Sequence, residues 1–157
     1  MKNENKIIKP VWALVCASSS IDQRTNTVSV FNALEEVTVG INGPTPANVF
    51  KSGVVIPMPL EFIALFVRID DYTKEIICDA AMDVLDPFGI SMGMQNFPLK
   101  LEKDKKRMRV NVKFGGVKVT SPGEYNFKLS IKNKDGKFEE ITSVPLEIKL
   151  TDEPVIK

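Results

Sequence analysis

This sequence predicts an all-β fold, and within that class a single antiparallel β-sandwich of about eight strands. Three observations carry the prediction. Apolar and polar residues alternate with a period of two in one segment after another. Clusters of Asp, Asn, Gly and Pro separate those segments at short intervals. Helix-forming pattern is confined to one stretch able to make at most one or two turns.

Taken in chain order, residues 11–19 and 27–31 form the first strands, parted by Asp22-Gln23-Arg24-Thr25-Asn26, and 37–41 continues after a kink. The helical turn falls at 45–50, with Thr45 capping, Pro46 at the first helical position and Gly53 ending it. Residues 60–69 are almost continuously apolar from Phe62 to Val67, as befits a central strand covered on both faces. After Asp70-Asp71-Tyr72-Thr73-Lys74, the strand 75–85 sets Ile76, Cys78, Ala80, Met82 and Val84 against Asp79 and Asp83. Asp86-Pro87-Phe88-Gly89 fits a type I turn. Residues 107–114 place Met108, Val110, Val112 and Phe114 inward and Arg107, Arg109, Asn111 and Lys113 outward. The strands 124–132 and 144–150 alternate in the same way, with hairpins at Ser121-Pro122-Gly123 and Asn133-Lys134-Asp135-Gly136. Gly115-Gly116 marks a bulge, and Pro145 an edge or a bulge, because proline cannot donate to a ladder.

The chain has 157 residues, 43% of them hydrophobic and 26% charged, which suits one globular domain and excludes disorder and a disulfide-rich miniprotein. We assign residues 10–150 to the sandwich, with tails at 1–9 and 151–157. Lys and Arg number 21 against 20 for Asp and Glu, so no global charge bias points to nucleic acid or membrane. Lys2 and Lys6 precede an apolar run from Val11 to Ala17, but that run is at the short end for a signal core, Pro10 precedes it, and no small-x-small cleavage site follows it cleanly. Val15 also stands where a lipid-attachment site before Cys16 wants a small residue. The run is read as a buried first strand, and the protein as cytoplasmic with no membrane contact. Cys16 and Cys78 have a spacing compatible with an inter-sheet disulfide, yet without an export signal they are read as two reduced, buried thiols.

The stretch Ser121-Pro122-Gly123-Glu124-Tyr125-Asn126-Phe127-Lys128-Leu129 resembles the penultimate strand of many immunoglobulin-like bacterial domains. There a tyrosine at the position of Tyr125 often ties down the corner through its hydroxyl. Over residues 10–150 the chain is similar to a family of small bacterial immunoglobulin-like β-sandwich proteins of unknown function. Val15-Cys16-Ala17, the segment Asp22 to Asn32, Ile56-Pro57-Met58-Pro59, the Asp-Pro-x-Gly turn and the Gly-Glu-Tyr strand carry the likeness. The resemblance implies that the sandwich is a single immunoglobulin-like antiparallel one of about eight strands, and it brings no catalytic residue with it.

The chain contains no His, which removes the commonest general base. Gly89-Ile90-Ser91-Met92-Gly93 matches the nucleophile-elbow pattern, but that chemistry needs a base and a strand-turn-helix setting, so the match is read as chance and the protein as a non-enzyme. Asp70, Asp71, Asp83 and Asp86 sit near strand ends, where some sandwiches bind calcium, but they form no Asp-x-Asp ligand string. Asn133-Lys134-Asp135-Gly136 mimics part of an EF-hand loop while Ile131 and Thr142 occupy carboxylate positions. No metal and no cofactor are expected. Phe88, Met92, Met94 and Phe97 form the candidate docking surface, because methionine repacks readily around a partner; completion of the core is the competing reading. Between Lys100 and Lys113 seven cations face two anions, and Arg107, Arg109 and Lys113 share an outward face as candidate anion contacts. No outward aromatic is expected beside them to stack bases, and Trp12 is assigned to the core near Cys16. The function expected is a non-enzymatic protein-binding or assembly module, with self-association the default partner. The alternative is an anion- or nucleic-acid-binding sandwich using the basic face around 100–113.

Overall fold

The computed structural model describes residues 7–40 and 53–151. They form eleven strands: β1 (Ile8–Ile21), β2 (Val28–Ala33), β3 (Glu36–Gly40), β4 (Val54–Ile56), β5 (Leu60–Arg68), β6 (Ile76–Leu85), β7 (Ser91–Leu101), β8 (Arg107–Phe114), β9 (Val117–Val119), β10 (Gly123–Lys132) and β11 (Phe138–Thr151). No helix occurs among the described residues, and the helical turn expected at 45–50 lies outside them. The chain is all-β as expected, but the strand count of about eight is corrected to eleven. Two of the additions, β4 and β9, are three residues each, too short to show an alternation. The third, β7, hides its alternation behind a bulge at Gly93.

Two larger sheets have the orders β2-β1-β5-β8 and β3-β11-β10-β6-β7, and β4 pairs with β9 in a third. The expectation of purely antiparallel sheets is also corrected. β3 runs parallel to β11, from Glu36 beside Glu147 to Gly40 beside Thr151. Pro145 is part of an interior strand, opposite Asn126 of β10. On its other side β11 pairs with β3 only from Glu147 onward, so the missing N–H of Pro145 breaks no ladder there.

The core lies between the two larger sheets. Phe62, Ala64 and Phe66 of β5 and Val110 and Val112 of β8 face Ala80 and Met82 of β6 and Tyr125, Phe127 and Leu129 of β10. Phe114 and Phe127 meet across it edge to face, with ring centroids 5.3 Å apart. Burying a side chain such as Phe127 stabilises by about 1.5–3 kcal/mol, and the density of such residues explains why this core needs no cross-link. Cys16 and Cys78 are free thiols on separate sheets.

β5 is covered on both faces, as its continuous apolar run predicts. Its second cover is the β1–β2 hairpin. β1 pairs with β5 only as far as Cys16 opposite Glu61, and its later residues pair with β2 alone. The hairpin then reaches across the outer face of the first sheet. Ser19 Oγ donates to Glu61 Oε2 at 2.5 Å, and Asn26 in the turn accepts from Arg109 of β8. Ile63 and Cys16, which lie outside the inter-sheet core, are therefore inaccessible to solvent.

Candidate functional site

The cationic segment lies on β8, an edge strand paired only with β5. Its register is regular, running from Leu60 opposite Phe114 to Val67 opposite Arg107, with Arg109 opposite Leu65 and Lys113 opposite Glu61. Arg107 and Arg109 border a cleft of about 600 Å³ together with Lys100 and Lys105. One wall is the consecutive run Arg107-Met108-Arg109 of β8, and the other is Leu99-Lys100-Leu101-Glu102 at the end of β7. Successive strand residues point to opposite faces. A cavity bordered by three or four in a row therefore reaches the strand edges, and Leu65 of β5 with Asn26 of the β1–β2 turn extends it onto the outer face of the first sheet.

Arg68, only 2% exposed, braces this cleft from below. Its guanidinium donates from Nε and Nη2 to the two carboxylate oxygens of Asp70, at 2.8 and 2.5 Å, and from Nη1 to the carbonyls of Leu101 and Glu102. The end of β5 is thus tied to the end of β7. The paired guanidinium holds the Asp70 carboxyl below the usual carboxylate range, against the opposing pull of burial.

The cations differ in how free they are. Arg109 donates from Nη1 to Asn26 Oδ1 at 2.8 Å and from Nη2 to the Asn26 carbonyl at 2.5 Å. Lys100 pairs with Glu75 at 3.1 Å, and Lys105 with Glu102, both in exposed positions where an ion pair holds weakly. Arg107 is exposed and has no side-chain partner among the described residues. Lys113 stands apart from the cleft, 3.8 Å from Glu61. Glu61 is 8% exposed. Burial pushes its carboxyl up, but hydrogen bonds from Ser19 and Asn111 and the charge of Lys113 outweigh that and hold it below its ordinary value.

The four residues of the expected docking surface do not share one face. Phe88 is 76% exposed in the β6–β7 turn and Met94 57% exposed on β7, whereas Met92 and Phe97 pack against the core. The cause is a break in register between Asp83 and Leu85, where Gly93 takes φ +147°. The bulge shifts the alternation by one residue, so Met94 pairs with outward Asp83 and Phe97 with inward Ala80. Trp12 also departs from expectation. It is half-buried outside the main core, opposite Leu65, which is itself opposite Arg109.

Ser91 opens β7, a strand edge rather than a strand-turn-helix, and its hydroxyl donates to Asp83 at 2.6 Å. Burial pushes both thiols up, helped by Glu61 at Cys16 and Asp79 at Cys78, which weakens them as nucleophiles. The loop carboxylates have local work. Asp86 accepts from the backbone N–H groups of Phe88 and Ile90 and from Thr120 Oγ1, and Asp71 accepts from Thr73. No helix among the described residues is long and apolar enough to cross a membrane.

Sequence reasoning found Arg107 and Arg109 by alternation. It missed Lys100 and Lys105 as cleft residues, although both lie in the basic run it singled out. Asn26 left no signal, because it meets Arg109 only through the fold of the hairpin, 83 positions away.

No protein-family model and no curated protein matches the chain. Among solved structures it is similar to the Pseudomonas fluorescens alkylpurine DNA glycosylase AlkC bound to DNA containing an abasic site analog. The identity is 11% and the TM-score 0.48 over 91% of this chain, which spans 30% of that one. It is similar to the C-terminal domain of wzt at 11% identity and TM-score 0.49, covering 94% of this chain and 80% of that one. A Niemann-Pick type C2 protein from the Japanese carpenter ant matches at 12% identity and TM-score 0.44, over 95% and 98% of the two chains. None of the three carries a function across, so the functional reading rests on the site itself.

Proposed function

We propose that this protein is a non-enzymatic binding module for a protein partner, and that the cationic cleft between the β7 and β8 edges makes the contact. The observation that carries this reading is the lining of the cleft: Lys100, Lys105, Arg107 and Arg109 converge on a cavity flanked by two strand edges. Its volume falls within the range of about 300–1,000 Å³ common for ligand sites. Leu65 and Met108 add apolar contact beneath the charges. A non-enzymatic role is supported by the lack of His, by thiols pushed up by burial, and by a Ser91 hydroxyl spent on Asp83. Two free cysteines on separate sheets support a reducing, cytoplasmic setting.

The immunoglobulin-like identity belongs to the same reading. The orders β2-β1-β5-β8 and β3-β11-β10-β6-β7 support assigning β1-β5-β8 as strands A-B-E, with β2 an addition beside A, against A′-G-F-C-C′. Tyr125, near the start of the strand equivalent to F, donates its hydroxyl to the Ser121 carbonyl at 2.8 Å, in the manner of a tyrosine corner.

Trp12 supplies the test, since it is the only tryptophan and lies on the strand two over from Arg109. Titration with polyglutamate at low salt should change its fluorescence saturably, and added salt should weaken the binding. Arg107→Glu should weaken it too. Polyglutamate that fails to bind, or binds Arg107→Glu as well as wild type, contradicts the reading.

A further inference from the structure

We propose that the partner presents an acidic, extended segment that adds as a new strand to the free edge of β8. The inference rests on the binding-module reading above and names the chemistry of its partner. The cleft borders consecutive residues of β8, so it exposes the edge on which every second residue turns its N–H and C=O away from β5. Such an edge is a ready template for an incoming strand.

The other edges are less suited. β7 is interrupted by the bulge at Gly93 and contains Pro98, which has no N–H to offer. β2 is broken at Asn32, which adopts φ +52° between the pairs Cys16–Ala33 and Ser18–Phe31. β3 has five residues. β8 keeps eight residues in unbroken register and is guarded only by its charge.

That charge selects the occupant. Arg107 and Arg109 stand two apart on β8, Lys105 lies just ahead of that strand in the β7–β8 connection, and all three border the cleft. The spacing of the two arginines, about 6.8 Å per two residues, matches the side-chain repeat of a strand laid alongside. Alternate Asp or Glu residues on that strand would face the two arginines, with the free guanidinium of Arg107 taking one of them and Lys105 adding its charge just beyond the end of the ladder. A second copy of β8 would instead set cations against cations, which disfavours self-pairing.

The test uses the full chain and a synthetic peptide of roughly eight residues, matched to β8, that alternates Glu with Val or Thr. Two derivatives carry N-methyl groups on the amides of one edge or of the other. The peptide should bind at low salt. Methylation of one edge should weaken it roughly tenfold or more, from the lost ladder hydrogen bonds, while methylation of the opposite edge is tolerated. Arg107→Glu should weaken it comparably, with a thermal melt confirming that the variant is folded. If both methylated peptides bind like the parent, strand addition is wrong while the charge-based reading stands. If neither the peptide nor polyglutamate binds, both fail. If inorganic polyphosphate or single-stranded DNA binds more tightly than the peptide, the acidic-segment proposal is overturned.

Discussion

The hydroxyl of Tyr125 accepts a hydrogen bond from the Thr120 N–H at 2.9 Å and donates to the Ser121 carbonyl at 2.8 Å, inside a side chain that is otherwise fully buried. Tyr125→Phe keeps the ring and strands both backbone groups, so it should lower stability by about 1–3 kcal/mol in a denaturant titration. The two methionines of β7 should respond differently. Met92→Ser removes a thioether packed on the core and should cost about 2 kcal/mol or more, while Met94→Ser should stay within roughly 0.5 kcal/mol of wild type. Asp70→Asn leaves the buried Arg68 guanidinium without its counter-charge and should cost on the order of 3–5 kcal/mol at neutral pH. The Asp70 carboxyl is held below its ordinary value in the fold. Its contribution is therefore complete above the unfolded pKa of about 4 and is lost as pH falls through it towards the folded value. The melting temperature of wild type should drop between about pH 5 and pH 3, and that of Asp70→Asn should drop less.

At the scale of elements, the difference between β7 and β8 decides where a partner can add. β8 alternates without interruption, and its faces are legible in the sequence because Met108, Val110 and Val112 on one side oppose Arg107, Arg109 and Asn111 on the other. β7 is not legible in that way. Gly93 inserts a bulge, after which the phase is reversed, so a reading by alternation joins Met92 and Met94 that the fold separates. Gly93→Ala meets no atom within 4 Å, and its cost is purely that of holding a side-chain-bearing residue at φ +147°. It should destabilise by roughly 1 kcal/mol or more, with no new contact to offset it. The β1–β2 hairpin was equally hidden. Its strands are readable, but its fold across β5 depends on Ser19 meeting Glu61 and Asn26 meeting Arg109, contacts 42 and 83 positions apart.

For the molecule as a whole, alternation settles which residues face the core in β6, β8 and β10, whereas the unbroken apolar run of β5 marks a strand covered on both faces without saying which face meets the core. It does not specify which strand lies beside which. The parallel pairing of β3 with β11 and the gap between the β7 and β8 edges are products of strand order, so the cleft could not be drawn from any single segment. Half of the candidate site, Arg107 and Arg109, was written in one strand; the facing wall and Asn26 came from elsewhere. The central claim is that this assembled edge, rather than the exposed Phe88 and Met94 of the other sheet, receives the partner. Amide hydrogen exchange of the full chain, with and without the alternating acidic peptide, tests it most directly. Alternate amides of β8 between Arg107 and Lys113 should slow on peptide addition while the β6–β7 turn is unchanged. Protection gained around Phe88 to Met94, with β8 exchanging as before, would contradict the account.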